Sequence, residues 1–249
     1  MINVTIDIGN TIISFGIFQQ NKLLKCIKIP RDKLDLKSLR VIKKKFLVNE
    51  KVKILISSVV PSSEKLIKSF LRDNSINFVL LKDLLKKINI KINIKRKKEI
   101  GDDRITNIIY AKKIYKNSTI VIDFGTATTF DILNNKGVYF GGIITPGIDL
   151  SLDTLRYKTA KLPLVKFKKI KKVVGFSTKE AIESGFFWGY CSMIEGLLKK
   201  IQDEQKQVFK IILTGGNADY FRGIHKKIVL IDEFFTSKAL NYILNEYVE

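Results

Sequence analysis

Two short segments of this 249-residue chain have the composition of an anion-holding turn. Asp7-Ile8-Gly9-Asn10-Thr11 and Asp123-Phe124-Gly125-Thr126-Ala127-Thr128-Thr129 each follow an apolar run. An aspartate at a strand end can hold Mg²⁺, usually through water, because that ion keeps much of its hydration shell. The glycine lets the backbone come close to an anion and permits positive φ. The turn's N–H groups and the Asn10 and Thr11 side chains offer donors to phosphate oxygens. One such turn alone reads equally well as an ordinary hairpin. Two copies facing each other could clamp a nucleotide's phosphates from both sides. A third cluster, Leu213-Thr214-Gly215-Gly216-Asn217-Ala218, has paired glycines that would let an adenosine ring lie against the backbone; it also reads as a plain strand-to-helix turn.

Short β-branched runs alternating with helical spacing must position these turns. Strands are expected over 2–6, 12–18 and 22–30, a helix over 34–46, and a buried strand over 52–60. A helix over 62–73 would be capped by Ser62 or Ser63, with Glu64 in its first turn. A short strand at 78–81 and a helical turn at 83–88 precede Gly101-Asp102-Asp103-Arg104, where Asp102 can cap the helix carrying Ile105, Ile108, Ile109 and Ala111. Strands are expected over 119–122, 130–133 and 139–144, and a helix from about residue 148. The longest helical pattern, 177–198, offers Phe187, Trp188, Met193 and Leu197 for packing. A strand over 209–213 and a helix over 237–247 complete the chain. Asp131 and Asp149 read as exposed strand and turn residues, and His225, the single histidine, as a surface residue without a catalytic role.

An internal repeat organises these elements. The segment 4–11 resembles 121–128, and the two aspartates stand about half the chain apart. The pattern predicts two related α/β halves, 1–116 and 117–249, each opening with a hairpin. The boundary falls at the polar stretch Tyr115-Lys116-Asn117-Ser118.

Composition excludes several classes. With 45% hydrophobic residues the chain can bury a core, which rules out wholesale disorder. No stretch approaches the roughly 18 uncharged apolar residues of a membrane span, and the N-terminus lacks the pattern of a secretory signal. Cys26 and Cys191 make neither a disulfide framework nor a zinc site, so the cytoplasm is the expected compartment. The net charge of +21 invites a nucleic-acid reading, but 38 of the 45 basic residues are Lys and only 7 are Arg, the residue suited to bidentate recognition. Lysines are scattered, with short basic runs at 43–45, 95–98 and 168–172. Lys, Ile and Asn share AT-rich codons, so genome drift accounts for the charge, and no specific nucleic-acid partner is expected.

The ordered motifs resemble the sugar kinase, actin and hexokinase superfamily, and within it the type III pantothenate kinases. The resemblance rests on 7–11, Ser57-Ser58-Val59-Val60-Pro61, 101–104, 123–129, Gly141-Gly142-Ile143-Ile144-Thr145-Pro146-Gly147, Ser177-Thr178-Lys179-Glu180-Ala181-Ile182-Glu183-Ser184-Gly185 and 214–218. It implies an α/β fold of duplicated ribonuclease H-like (actin-like ATPase) halves with a cleft between them. It implies ATP-dependent phosphorylation of pantothenate to 4'-phosphopantothenate, the first step of coenzyme A synthesis. It maps the phosphate site to Asp7, Ile8, Gly9, Asn10, Thr11, Ile12, Ile13 and Ser14, with Asp7 organising Mg²⁺–ATP through water, and adds Thr126 as an ATP contact. The pantothenate site maps to Gly101, Asp102, Asp103, Arg104 and Thr178, with Asp103 the general base. Asp123 maps to a ligand of K⁺ or NH₄⁺. A homodimer is implied too, for which Phe186, Phe187, Trp188 and Tyr190 fit either an interface or a plain core.

Chemistry agrees with this assignment. Phosphoryl transfer to a primary hydroxyl needs a proton acceptor, in-line geometry and neutralised charge. Arg104 can grip a carboxylate or a phosphate bidentately. Read without the resemblance, Asp103 and Arg104 form a surface ion pair and Thr178 an N-cap. Two departures stand out: Ile94, in the segment 92–100, occupies the position of the family's Tyr contact in a loop that also lacks its Pro, and Phe176 replaces a polar residue before Ser177. Two other readings follow from the same pattern, a non-catalytic relative acting as a DNA-associated accessory protein and a small-alcohol kinase of the same superfamily.

Overall fold

The computed structural model describes residues 2–46, 52–88, 90–96 and 99–248. Lys97 and Lys98 of the expected basic run and of the 92–100 segment lie outside the described residues. The chain divides into two compact units, Met1–Ile114 with Phe234–Glu249, and Tyr115–Glu233.

The first unit is built on a sheet in the order β3-β2-β1-β4-β5. Its strands are β1 (Ile2–Ile8), β2 (Ile12–Gln19), β3 (Lys22–Pro30), β4 (Val52–Ser58) and β5 (Val79–Leu80). The first three form an antiparallel meander, whereas β4 runs parallel to β1 and β5 to β4. Alternation along each strand decides which residues face which layer. Val4, Ile6, Ile8, Ile13, Phe15, Ile54 and Ile56 pack with Leu39 and Ile42 of α1 (Leu36–Phe46) and Ile67, Phe70 and Leu71 of α2 (Pro61–Asp73). The intervening residues face the layer of α4 (Asp102–Ile114) and α7 (Phe235–Tyr247). A short helix α3 (Leu81–Leu84) precedes that layer.

Helix α7 belongs to this unit although it ends the chain. Asn3 of β1, buried, donates from Nδ2 to Asn241 Oδ1 at 2.8 Å and to Asn245 Oδ1 at 2.7 Å. Asn241 in turn donates to the Gln20 carbonyl at 2.9 Å. The expected second half, 117–249, thus differs from the observed partition at its C-terminal end. The physical reason is this buried amide chain together with the apolar face of α7. At α2 the cap also differs from expectation: Pro61 takes the first helical position after Val60, and Ser63 is buried inside the helix.

The second unit repeats the plan. Strands β7 (Thr119–Phe124), β8 (Ala127–Leu133), β9 (Val138–Pro146), β10 (Lys210–Gly215) and β11 (Ile228–Ile231) lie in the order β11-β10-β7-β8-β9. Again the first three are antiparallel, and the fourth and fifth run parallel. Strand β11, absent from the sequence expectation, is short and half-exposed, which blurs its period. A two-residue strand β6 (Lys91–Ile92) falls within the residues of the first unit. Helices α5 (Ile148–Tyr157) and α6 (Thr178–Gln205) cover one face of the second sheet. The buried stripe of α6 is Phe187, Cys191, Ile194, Leu198 and Ile201, with Trp188, Met193 and Leu197 at its margin. Asp131, expected to be exposed, is buried and accepts the Tyr139 hydroxyl at 2.8 Å.

Candidate active site

The Asp-x-Gly turns are built alike. In each, the middle residue is buried and pins the strand end, Ile8 in one core and Phe124 in the other. Because side chains alternate, Asp7 and Asp123 then face the opposite side of their sheets. The first turn closes with Gly9 N–H donating to the Ile12 carbonyl at 3.1 Å, the second with Gly125 N–H donating to Ala127 at 3.2 Å. Of the phosphate-turn residues, Asn10, Thr11 and Ile12 are exposed, Asp7, Gly9 and Ser14 are half-buried, and Ile8 and Ile13 are wholly in the core. The side chains of those two isoleucines therefore serve as anchors, leaving only their backbone toward solvent chemistry.

Arg31 was invisible to motif reading. It follows β3, yet its Nε donates to the Asn10 carbonyl at 2.5 Å and its backbone N–H donates to Thr11 at 2.8 Å. The signal that could have found it is the β2–β3 register, which pairs Ile12 with Pro30 and so places the next residue beside the turn.

The Gly101–Arg104 motif reaches the same sheet edge. Ser58, the last residue of β4, is paired with Ile8 of β1, and Val59 N–H donates to the Ile8 carbonyl at 3.1 Å. Asp102 Oδ2 accepts Ser58 N–H at 3.3 Å. The first unit therefore holds the start of α4 next to the strand end that carries Asp7. Asp102 is the first residue of α4 and not its cap; Gly101 stands at the cap, with Ile105 N–H donating to its carbonyl at 3.1 Å. Burial pushes the Asp102 carboxyl above its ordinary value, outweighing the Ser58 N–H. Asp103 and Glu64 add repulsion and Lys82 opposes it. Glu64 itself is partly buried, which raises it, but Lys82 and Lys68 at 3.0 and 3.2 Å together hold it below the usual range.

Asp103 lies on the half-buried first turn of α4, its Oδ1 accepting Arg104 N–H at 2.8 Å. A Cβ at Gly101 would stand 2.5 Å from that oxygen, so a larger residue there would make the Asp103 carboxylate shift.

In the second unit the glycine cluster supports Asp123. Thr214 is paired with Asp123 and Gly215 with Phe124. Gly215 has φ +88°, and a Cβ there would meet Asp123 Oδ1 at 2.6 Å. Phe221, in the tight turn after the glycines, stacks on Phe124 with ring centroids 4.5 Å apart. Thr126 is exposed on its turn, and Gly147 N–H donates to its carbonyl at 3.1 Å. Thr178 is the exposed first residue of α6, capped not by itself but by Ser177, whose Oγ accepts Glu180 N–H at 3.2 Å. Asp149 accepts Asn217 Nδ2 at 3.1 Å.

Comparison with known proteins decides the family. A type III pantothenate kinase family model matches residues 3–200. The chain belongs to the type III pantothenate kinase family. A type III pantothenate kinase of Persephonella marina is 42% identical over 86% of this chain and 87% of its own. Among solved structures, one from Campylobacter jejuni described as a Baf family transcriptional activator superposes with a TM-score of 0.61 at 21% identity over 98% of each chain. The activator of 2-hydroxyisocaproyl-CoA dehydratase from Clostridium difficile, solved with ADPNP, superposes at 0.53 and 13% identity over 99% of this chain and 96% of its own. Those two likenesses establish the fold, a duplicated α/β arrangement. Membership in the type III pantothenate kinases brings ATP and a divalent metal as the expected reactants' partners.

Among the described residues no group of three or more His, Cys, Asp or Glu gathers as a metal cage. The oxygen donors of the first turn, one strand-end carboxylate with Asn10, Thr11 and Ser14 nearby in sequence, fit Mg²⁺ held by one carboxylate, water and substrate phosphates.

Proposed function

We propose that this chain phosphorylates pantothenate from ATP, the first step of coenzyme A synthesis, with Asp103 as general base. Family membership over most of the chain supports the reaction. The observation that supports the residue roles is the Asp102–Ser58 bond, which ties the start of α4 to the end of β4, the strand paired with β1.

Asp103 takes the proton of the primary hydroxyl as the oxygen–phosphorus bond forms and the bond from the γ-phosphorus to ADP breaks. Asp7, Gly9, Asn10, Thr11 and Ser14 hold the phosphates, with Arg31 bracing their turn. Mg²⁺, when bound, neutralises charge on the phosphates. Arg104, Gly101 and Thr178 bind pantothenate. Asp123, with Gly215 and Thr126 beside it, binds K⁺ or NH₄⁺. Two copies form a homodimer; the exposed apolar run of Val173, Val174 and Phe176 before α6 supports a buried partner face there. The thiols of Cys26 and Cys191 fit the reducing cytoplasm. No helix of the described residues is long and apolar enough to cross a membrane.

A coupled assay with pantothenate and a panel of small hydroxy acids, run first in Na⁺ and then in K⁺, tests this reading. Turnover of pantothenate stimulated by K⁺ is expected. Turnover of another alcohol in its place would leave the kinase class and overturn the substrate.

A further inference from the structure

Among the described residues three buried side-chain oxygens lack any hydrogen-bond partner: Ser57 Oγ, Thr128 Oγ1 and Thr214 Oγ1. Buried hydroxyls are almost always paired, so each orphan calls for a reason. Two of them occupy equivalent positions. Ser57 stands on β4 in parallel register with Asp7 of β1, and Thr214 stands on β10 in parallel register with Asp123 of β7. In-register neighbours point to the same face of a sheet, so each hydroxyl stands beside its aspartate. Both are essentially inaccessible, at 0% and 1%. Thr128 differs: it pairs with Phe124 and so faces the side of the second sheet away from Asp123.

Chance placement in one unit would be unremarkable. Recurrence at the matching position of both units, each time next to the strand-end carboxylate, points to a shared use. Nothing about sheet packing demands a hydroxyl there, since Ala or Val would fill the same space without an unmet donor. The burial of an unsatisfied hydroxyl is a stability cost that a ligand can recover.

We infer that the Ser57 and Thr214 hydroxyls serve ligands, each beside the aspartate of its own unit: Ser57 with Asp7 toward the metal and phosphates of bound ATP, Thr214 with Asp123 toward the monovalent cation. This rests on the kinase reading above. Ser57 opens the Ser57–Pro61 motif, which the phosphate turn and the Asp103 motif leave without a role.

Ser57→Ala and Thr214→Val test it by two readouts of opposite sign. Isothermal calorimetry with Mg²⁺ and ATP in K⁺ buffer measures affinity, and thermal melting without nucleotide measures the empty protein. Each variant is expected to weaken Mg²⁺–ATP binding about 3- to 10-fold, while the unliganded melting temperature stays level or rises. A variant that melts lower without nucleotide, or that binds Mg²⁺–ATP as the parent does, assigns its hydroxyl to structure and overturns the inference for that residue. Parent protein that binds no Mg²⁺–ATP removes the kinase reading and the inference together. Parent protein that binds, alongside variants that bind equally, removes the inference alone.

Discussion

Asp102 accepts the backbone N–H of Ser58 at 3.3 Å across 44 positions of sequence. That bond ties the first turn of α4 to the end of β4, and through the β1–β4 register to the Asp7 turn. Two neighbouring carboxylates are thereby set to different tasks: Asp102 faces the protein, and Asp103 is left on the adjoining position of the same helix turn.

Asp103→Asn should lower kcat by about 10²- to 10⁴-fold, because the amide cannot take the hydroxyl proton. Its melting temperature should match the parent's, since Asn keeps an oxygen for the Arg104 N–H. An unaltered kcat in the coupled assay would remove Asp103 as base.

Asp102→Asn should change how stability depends on pH. Burial raises the Asp102 carboxyl above 3.8, so the folded protein keeps the proton where the unfolded chain has released it. The unfolded state then binds fewer protons, and stability falls as pH climbs from the ordinary value through the raised one. The parent should therefore lose urea resistance relative to Asp102→Asn as pH climbs from the ordinary carboxylate value of 3.8 through the raised one. A difference that is flat, or that grows in the parent's favour, would contradict this.

Gly215→Ala should cost about 1–3 kcal/mol, for the positive φ and for the crowding of Asp123 Oδ1. Gly216→Ala is the control, because a Cβ there meets nothing within 4 Å. Denaturant melts of the two variants should separate clearly, and only the first should reduce K⁺ stimulation of turnover.

Ser177→Ala should cost about 1 kcal/mol through loss of the α6 cap. Thr178→Ala should leave stability near the parent's and raise KM for pantothenate. Equal stability losses in both variants would place Thr178 in the cap instead.

Much of this was legible in local pattern. The alternation of Val4, Ile6 and Ile8 makes β1 a strand and necessarily turns Asp7 to the other face. The same alternation at Ile120, Ile122 and Phe124 does so for Asp123. Strand β3 and the end of α2 at Asp73 also follow from spacing and residue type alone. The readings of Asp102 and Asp131 failed where a partner outside their own turn or strand competed. Asp102 has the chemistry of a cap, but Ser58 N–H takes its oxygen; Asp131 sits on a strand that reads as open, but Tyr139 covers it.

Sequence by itself determined the two hairpins, the side of each sheet on which its aspartate lies, and the order of the motifs, because periodicity and turn chemistry act over a few residues. Tertiary structure decided what depends on contacts between distant segments. It returned α7 to the first unit through Asn3, Asn241 and Asn245, set Arg31 against the Asn10 carbonyl, and paired Ser57 with Asp7 and Thr214 with Asp123. Register between parallel strands is fixed by packing across the whole sheet, and no local pattern in β1 or β4 carries it.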